Sequence, residues 1–164
     1  MNLKPIEEYE GLYSFDLNNN MIYSHYSNKY LKPTIENDGY IRITFYKNDK
    51  LKHFQYHRLV YEYNIGKIPT GLIIDHIDGN KQNNNIDNLR LCSQSQNCMN
   101  CKTKKNNLSS GYKNITLTKC NTYLVRIWKN NIVKYCKTFK TLEDAIINRD
   151  IQMKLIHGEF CNLG

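Results

Sequence analysis

A chain of 164 residues can form one domain or two to three small modules, each with little core of its own. Its 23 Lys and Arg against 15 Asp and Glu give a formal charge of +8 and a pI near 9.1, a field that attracts phosphates, and 13 Tyr, 5 Phe and 1 Trp place flat surfaces beside the basic residues. No apolar run approaches the ~20 residues of a membrane span, and six Cys without a secretory leader point to free thiols in an intracellular, reducing compartment such as the cytoplasm of a bacterial host or of a virus-infected cell.

Residues 1–52 read as a β-rich module. Gly39 to Phe45 alternates, Asn48-Asp49 marks a turn, and Leu51 to Tyr56 follows, which together predict a hairpin. Ile41, Ile43 and Phe45 are expected to pack, with Tyr40, Arg42 and Thr44 on the outer face, where Tyr40 and Arg42 can lie against a DNA groove. His57 opens a short helical segment from Arg58 to Tyr63. It reads better as a packed or phosphate-contacting residue than as a base, and Arg58 as a phosphate contact.

Residues 53–101 hold the constellation that can do chemistry. Ile73 to His76 reads as a strand ending in the turn Asp78-Gly79. After a polar stretch, Leu89-Arg90-Leu91 reads as a second strand, and Ser93-x-x-Gln96 as a capping box that starts a helix carrying Asn97. His76 is the candidate general base, because an imidazole is largely neutral at physiological pH and can take a proton from water. Asp75 can hold a hard divalent cation, and the Asn97 carboxamide can complete that site, an oxygen set suited to Mg2+ or Mn2+. Adjacent residues of a strand face opposite ways, so a kink or strand end must bring Asp75 and His76 to one site. Asn88 is expected to hydrogen-bond the imidazole and fix its tautomer, while Arg90 is a candidate DNA contact. Asp78, Asn80, Asn83, Asn84 and Asn85 read as loop formers. Cys98-x-x-Cys101 with Cys92 nearby lacks a second pair, so buried thiols are favoured over a structural zinc.

Through His57-Arg58-Leu59-Val60, Asp75-His76-Ile77-Asp78-Gly79-Asn80, Asn88-Leu89-Arg90 and Asn97, the chain resembles the HNH homing endonucleases of the branch with Asn as third motif residue. The resemblance implies a ββα-metal fold with the metal on Asp75 and Asn97, the base on His76 and the orienting amide on Asn88. More loosely, residues from about Ile6 through Lys52, with Tyr9-Glu10-Gly11-Leu12-Tyr13, Leu31-Lys32-Pro33 and Gly39-Tyr40, are similar to the nuclease-associated module that precedes this motif in many homing endonucleases.

Residues 102–110 have a linker composition, with Lys102, Lys104 and Lys105 able to track phosphates. In residues 111–164, Tyr112 to Thr118, Tyr123 to Trp128 and Ile132 to Phe139 predict three antiparallel strands, with Asn121-Thr122 and Asn130-Asn131 as turns. A helix capped at Thr141 follows, its expected apolar stripe being Ala145, Ile146, Ile147, Ile151, Leu155 and Ile156, packed on Val125 and Ile127. Leu124, Arg126 and Trp128 then project from the other face, where Arg reaches guanine edges or phosphates. From Ser110 to Asn162, notably in Gly111-Tyr112, Lys137-Thr138-Phe139, Glu143-Asp144-Ala145 and His157-Gly158-Glu159-Phe160, the chain resembles the ethylene-response-factor type DNA-binding domain. That likeness implies a sheet lying in the major groove and adds Tyr135 and Lys137 to the candidate DNA contacts. Tyr123 and Tyr135 stand where Trp is usual, so the fold carries over better than the base code.

The expectation is therefore an α+β chain: an N-terminal antiparallel β module, a central ββα-metal motif and a C-terminal three-stranded antiparallel sheet on one helix. Its expected work is site-specific hydrolysis of double-stranded DNA, nicking one strand as a monomer away from membranes. The alternative is a catalytically inactive DNA-binding regulator built on the same modules. The abundance of Lys, Asn, Ile and Tyr fits an AT-rich genome.

Overall fold

The computed structural model describes residues 1–101 and 109–163 and divides into two compact units, Met1–Leu91 and Cys92–Gly164. Lys102, Lys104 and Lys105 of the expected linker lie outside the described residues.

The first unit opens with four short strands, β1 (Leu3–Pro5), β2 (Tyr13–Asp16), β3 (Met21–Ser24) and β4 (Lys29–Tyr30), paired in that order as an antiparallel sheet. A second antiparallel sheet joins β5 (Thr34–Ile35), β6 (Ile41–Lys47) and β7 (Lys50–Gln55). The hairpin turn between β6 and β7 is made by Asn48 and Asp49 at φ of 51° and 58°, a left-handed pair that matches strand twist and that Asn and Asp tolerate. Ile43 and Phe45 are buried as expected, Ile41 half so. Then come α1 (Tyr56–Asn64), β8 (Ile73–His76), a 3-10 turn at Ile86–Asn88, and β9 (Leu89–Cys92), which pairs with β8.

One buried cluster runs through this unit: Ile6, Tyr9, Tyr13, Phe15 and Ile22 pack with Ile43, Phe45, Leu59, Val60, Tyr61, Ile74 and Leu89. The expected boundary between residues 52 and 53 falls inside β7, and the residues on its two sides share this core. Three short sheets and one 9-residue helix cannot bury enough apolar surface separately, so they fold around a common interior.

In the second unit α2 (Gln94–Asn100) is followed by β10 (Ile115–Leu117), β11 (Tyr123–Lys129) and β12 (Ile132–Phe139), an antiparallel sheet in that order, then by α3 (Leu142–His157) and a 3-10 turn at Gly158–Phe160. β10 is shorter than the predicted strand. Thr141 caps α3 by accepting from the Asp144 amide at 3.2 Å, and Val125 and Ile127 are buried with Ala145 and Met153 beneath it.

Two expectations about faces are corrected here. The inward stripe of α3 is Ala145, Arg149, Met153 and His157, with Ile146 and Ile156 packed partly buried against the same core as expected, while Ile147, Ile151 and Leu155 are 58%, 51% and 73% exposed. Residues four apart stack on one helix face, and two residues turn the chain about 200° to the other side. Arg149 can occupy the interior because it donates to the carbonyls of Lys113 at 3.1 Å and Leu163 at 2.7 Å. On β12, Tyr135 lies opposite Ile127 and Lys137 opposite Val125. Cross-strand partners project to the same side, so Tyr135 and Lys137 share the helix-covered face and not the open face of Arg126 and Trp128.

Candidate active site

β8 delivers Asp75 and His76 to the end of the core, where each is 4% exposed. As neighbours on a strand they meet different surroundings. Arg90, one strand across on β9, lies on the carboxylate of Asp75, with Nε at 2.9 Å and a terminal nitrogen at 2.8 Å from Oδ2. This guanidinium, expected at the DNA, is therefore part of the site itself.

His76 sits among rings. Its imidazole centroid is 5.1 Å from that of His57, edge to face, and 6.1 Å from Tyr40, whose own ring lies 5.4 Å from His57. Lys81 caps the group, its ammonium 4.3 Å above the Tyr40 ring and 2.9 Å from the Asp38 carbonyl. His76 Nε2 and Asn84 Oδ1 are 2.9 Å apart. The Asn84 side chain thus orients the imidazole. His57 is buried and its pKa is pushed down to about 4, chiefly by burial and then by His76 and Arg58, so it is neutral at physiological pH. Tyr40 and His57 thus wall the site. Arg42 pairs with Asp38 at 2.6 Å and Glu36 at 3.7 Å, and Arg58 is half-buried on α1.

Asn88 does a different job from the one expected. Its two amide hydrogens go to Asp78 Oδ1 at 3.0 Å and the Asn83 carbonyl at 2.8 Å, and its side-chain oxygen accepts from the Asp78 amide at 3.1 Å. With both hydrogens committed, it closes the 78–88 loop, and the observed imidazole partner is Asn84. Asp78 is the hub of that loop. Burial raises its pKa, but hydrogen bonds from Asn83, the Asn80 amide and Asn88 outweigh it and lower it overall. Asn84 carried no distinguishing mark in the sequence, flanked as it is by Asn83 and Asn85; only the path of the loop turns it inward.

In the second unit, the capping box forms as the sequence predicts: Ser93 Oγ accepts from the Gln96 amide at 3.3 Å and Gln96 Oε1 from the Ser93 amide at 2.8 Å. Asn97 follows, half-buried in the early turns of α2. Cys92 is buried, and Cys98 and Cys101 are exposed. Among the described residues no three His, Cys, Asp or Glu side chains group as a metal cluster, and no helix is long and apolar enough to cross a membrane.

Residues 54–99 match the HNH endonuclease family. Over 116 residues the chain is 41% identical to the DNA endonuclease I-HmuI of Bacillus phage SP01, covering 71% of this chain and 63% of that protein. Over 111 residues it is 37% identical to an uncharacterized HNH endonuclease of Acanthamoeba polyphaga mimivirus, covering 67% and 57%. The chain thus spans less than two thirds of the length of these relatives. Against the solved structure of DNA binding and cleavage by the HNH homing endonuclease I-HmuI, 97% of this chain and 91% of that one superpose with a TM-score of 0.56 at 31% identity. The chain belongs to the HNH endonuclease family. The stretch matched to the HNH family runs from β7 to α2 and contains His57, Asp75, His76, Asn84, Asn88, Arg90 and Asn97.

Proposed function

We propose that this HNH-family chain is a site-specific DNA endonuclease of the homing type, which hydrolyses a phosphodiester with His76 as general base and one divalent cation held by Asp75 and Asn97. The observation that carries the reading is His76 at the end of β8, nearly enclosed, next in the strand to the Asp75 carboxylate and oriented by Asn84 at Nε2.

The donor set fits a hard cation. Asp75 offers a carboxylate and Asn97 a carboxamide oxygen, and Mg2+ takes one or two such protein oxygens when waters and a substrate phosphate supply the rest. When bound, such an ion supplies neutralisation of the charge that grows on the leaving oxygen. The chain's own groups do the remainder. His76 takes the proton of the attacking water, Asn84 orients its ring, and Arg90 balances Asp75. Asn88 holds the loop that carries Asn84, and the rings of Tyr40 and His57 exclude water from the far side of the imidazole.

DNA is bound by the basic surface, with Arg126 and Trp128 on the open face of the second unit's sheet as direct contacts, in the manner that its likeness to the ethylene-response-factor domain suggests. With a single HNH site the chain acts as a monomer and nicks one strand. Its six free cysteines suit a reducing compartment.

Supercoiled plasmid carrying a target should be converted to open circles in the presence of Mg2+, and a chelator should stop the reaction. His76→Ala should lower cleavage by about two to four orders of magnitude with DNA affinity nearly unchanged. Direct conversion to linear product defeats the nicking assignment, and cleavage by His76→Ala at the wild-type rate defeats the base assignment.

A further inference from the structure

A cleft of about 230 Å3 in the second unit is separate from the residues assigned to chemistry. It lies between α2, which contributes Ser95, Cys98 and Met99, and the β11–β12 turn, which contributes Lys129, Asn130 and Asn131 beside Trp128. Asn114, Met153 and His157 complete it with Lys113.

Three properties of this lining point to one chemistry. Its charged groups are the ammonium ions of Lys113 and Lys129, and among the described residues no carboxylate lines it. Both ammonium groups are fixed: Lys113 donates to the carbonyls of Met99 and Cys101, each at 2.9 Å, and Lys129 to that of Ile156 at 2.6 Å. They are thus immobile positive charges rather than waving surface lysines. His157 is only 9% exposed, and its Nδ1 is buried without a hydrogen-bond partner. A buried polar nitrogen left unpaired is destabilising unless something supplies the missing partner. The rim adds neutral donors, the Asn130 and Asn131 amides and the Trp128 indole.

We infer that this cleft is a binding site for a phosphate group of the DNA backbone, placed between the helix that carries Asn97 and the edge of the DNA-reading sheet. A phosphodiester brings the negative charge that the lining lacks. The site would fix the phase of the duplex without reading sequence. The inference rests on the proposal that the chain binds DNA, and adds to it a contact outside the catalytic group that shares only Trp128 with the open sheet face.

The test is a matched pair of charge insertions. Asn131→Asp puts a carboxylate on the cleft at an exposed turn residue with φ of 61°, and Asn121→Asp makes the same change at φ of 53° in the turn at the opposite end of β11. Asp tolerates these angles as Asn does, so both variants should fold.

Duplex binding is followed by fluorescence anisotropy over a salt series in chelator, so that no cleavage intervenes. The site predicts that Asn131→Asp weakens binding roughly tenfold and lowers the salt slope by about one, whereas Asn121→Asp stays within about twofold of wild type. Equal affinities for the two variants overturn the cleft and leave the endonuclease reading standing. Wild-type protein that binds no duplex overturns both. In a third arm, inorganic phosphate is added at constant ionic strength while melting is recorded. Stabilisation of wild type but not of Asn131→Asp, combined with equal DNA affinities, makes the cleft a site for the free anion and overturns its assignment to the DNA backbone.

Discussion

Separating Asp75 from Arg90 should be costly in the free protein, and the cost should fall when both are replaced. The two side chains are 5% and 14% exposed and 2.8 Å apart. At an effective dielectric near 20 their gross attraction is about 6 kcal/mol, most of it offset by the desolvation of both ions. Removing one partner leaves the other buried without its counter-charge, so Arg90→Met should lower stability by about 3–5 kcal/mol. Asp75→Asn should cost less, since the guanidinium is the more exposed of the pair. In the double variant no unpaired ion remains, and a double-mutant cycle read by urea denaturation should return a coupling of at least about 2 kcal/mol. If Asp75 also holds the catalytic cation, Mg2+ should raise the melting temperature of Arg90→Met more than that of wild type, because its competitor for the carboxylate is gone. Asp75→Asn should show no such rise. A coupling below about 0.5 kcal/mol would refute the pair as a buried electrostatic unit, and a Mg2+ response surviving in Asp75→Asn would remove Asp75 from the metal site.

Asn84→Ala should reduce cleavage about 10- to 100-fold with unchanged DNA affinity, and Asn84→Asp, which keeps the acceptor oxygen, should recover most of the rate in single-turnover assays. His57 gives a pH signature. Unfolded, it takes up a proton near its ordinary value, but in the fold only near pH 4, so between those values the unfolded chain binds the extra proton. Its contribution is complete above about pH 6.5 and is lost as pH falls towards 4, by up to about 3 kcal/mol, and His57→Leu should flatten calorimetric stability across that window. On the sheet of the second unit, Arg126→Ala should lower the salt slope of DNA binding by about one, whereas Lys137→Ala, on the opposite face, should leave it nearly unaltered in the same titration.

Much of this arrangement is legible in the residues. The β6–β7 hairpin announces itself by alternation and by Asn48-Asp49, α2 by its reciprocal Ser93 and Gln96 contacts, and the position of Asp75 and His76 by an apolar strand running into a turn-forming pair. What escaped the sequence is set by tertiary context. Asn84 becomes the imidazole partner because the 78–88 loop folds back on the strand, and a local reading cannot rank it above Asn83 or Asn85. Arg90 looks like a free cation until β9 is placed beside β8. The stripe of α3 was misread because hydrophobicity was taken as the guide to burial; Arg149 is drawn inside by two loop carbonyls, while Ile147 and Ile151 stay in solvent. Tyr135 and Lys137, candidate DNA contacts by resemblance, lie on the helix-covered face because strand register fixes it, and composition does not report register.

The interior shared by residues 6 to 89 bears on how such a catalytic segment can be inherited. Beyond residue 52 that interior holds the buried Leu59, Val60, Tyr61, Ile74 and Leu89, with Phe54, Tyr56, Tyr63, Ile68, Ile86 and Leu91 packed partly buried against it, while Ile6, Tyr9, Tyr13, Phe15, Ile22, Ile43 and Phe45 come from before it. Recombination that moved just the cutting segment into a new gene would leave behind seven of the twelve buried members of its core, so the block that travels with its interior intact includes the leading sheets.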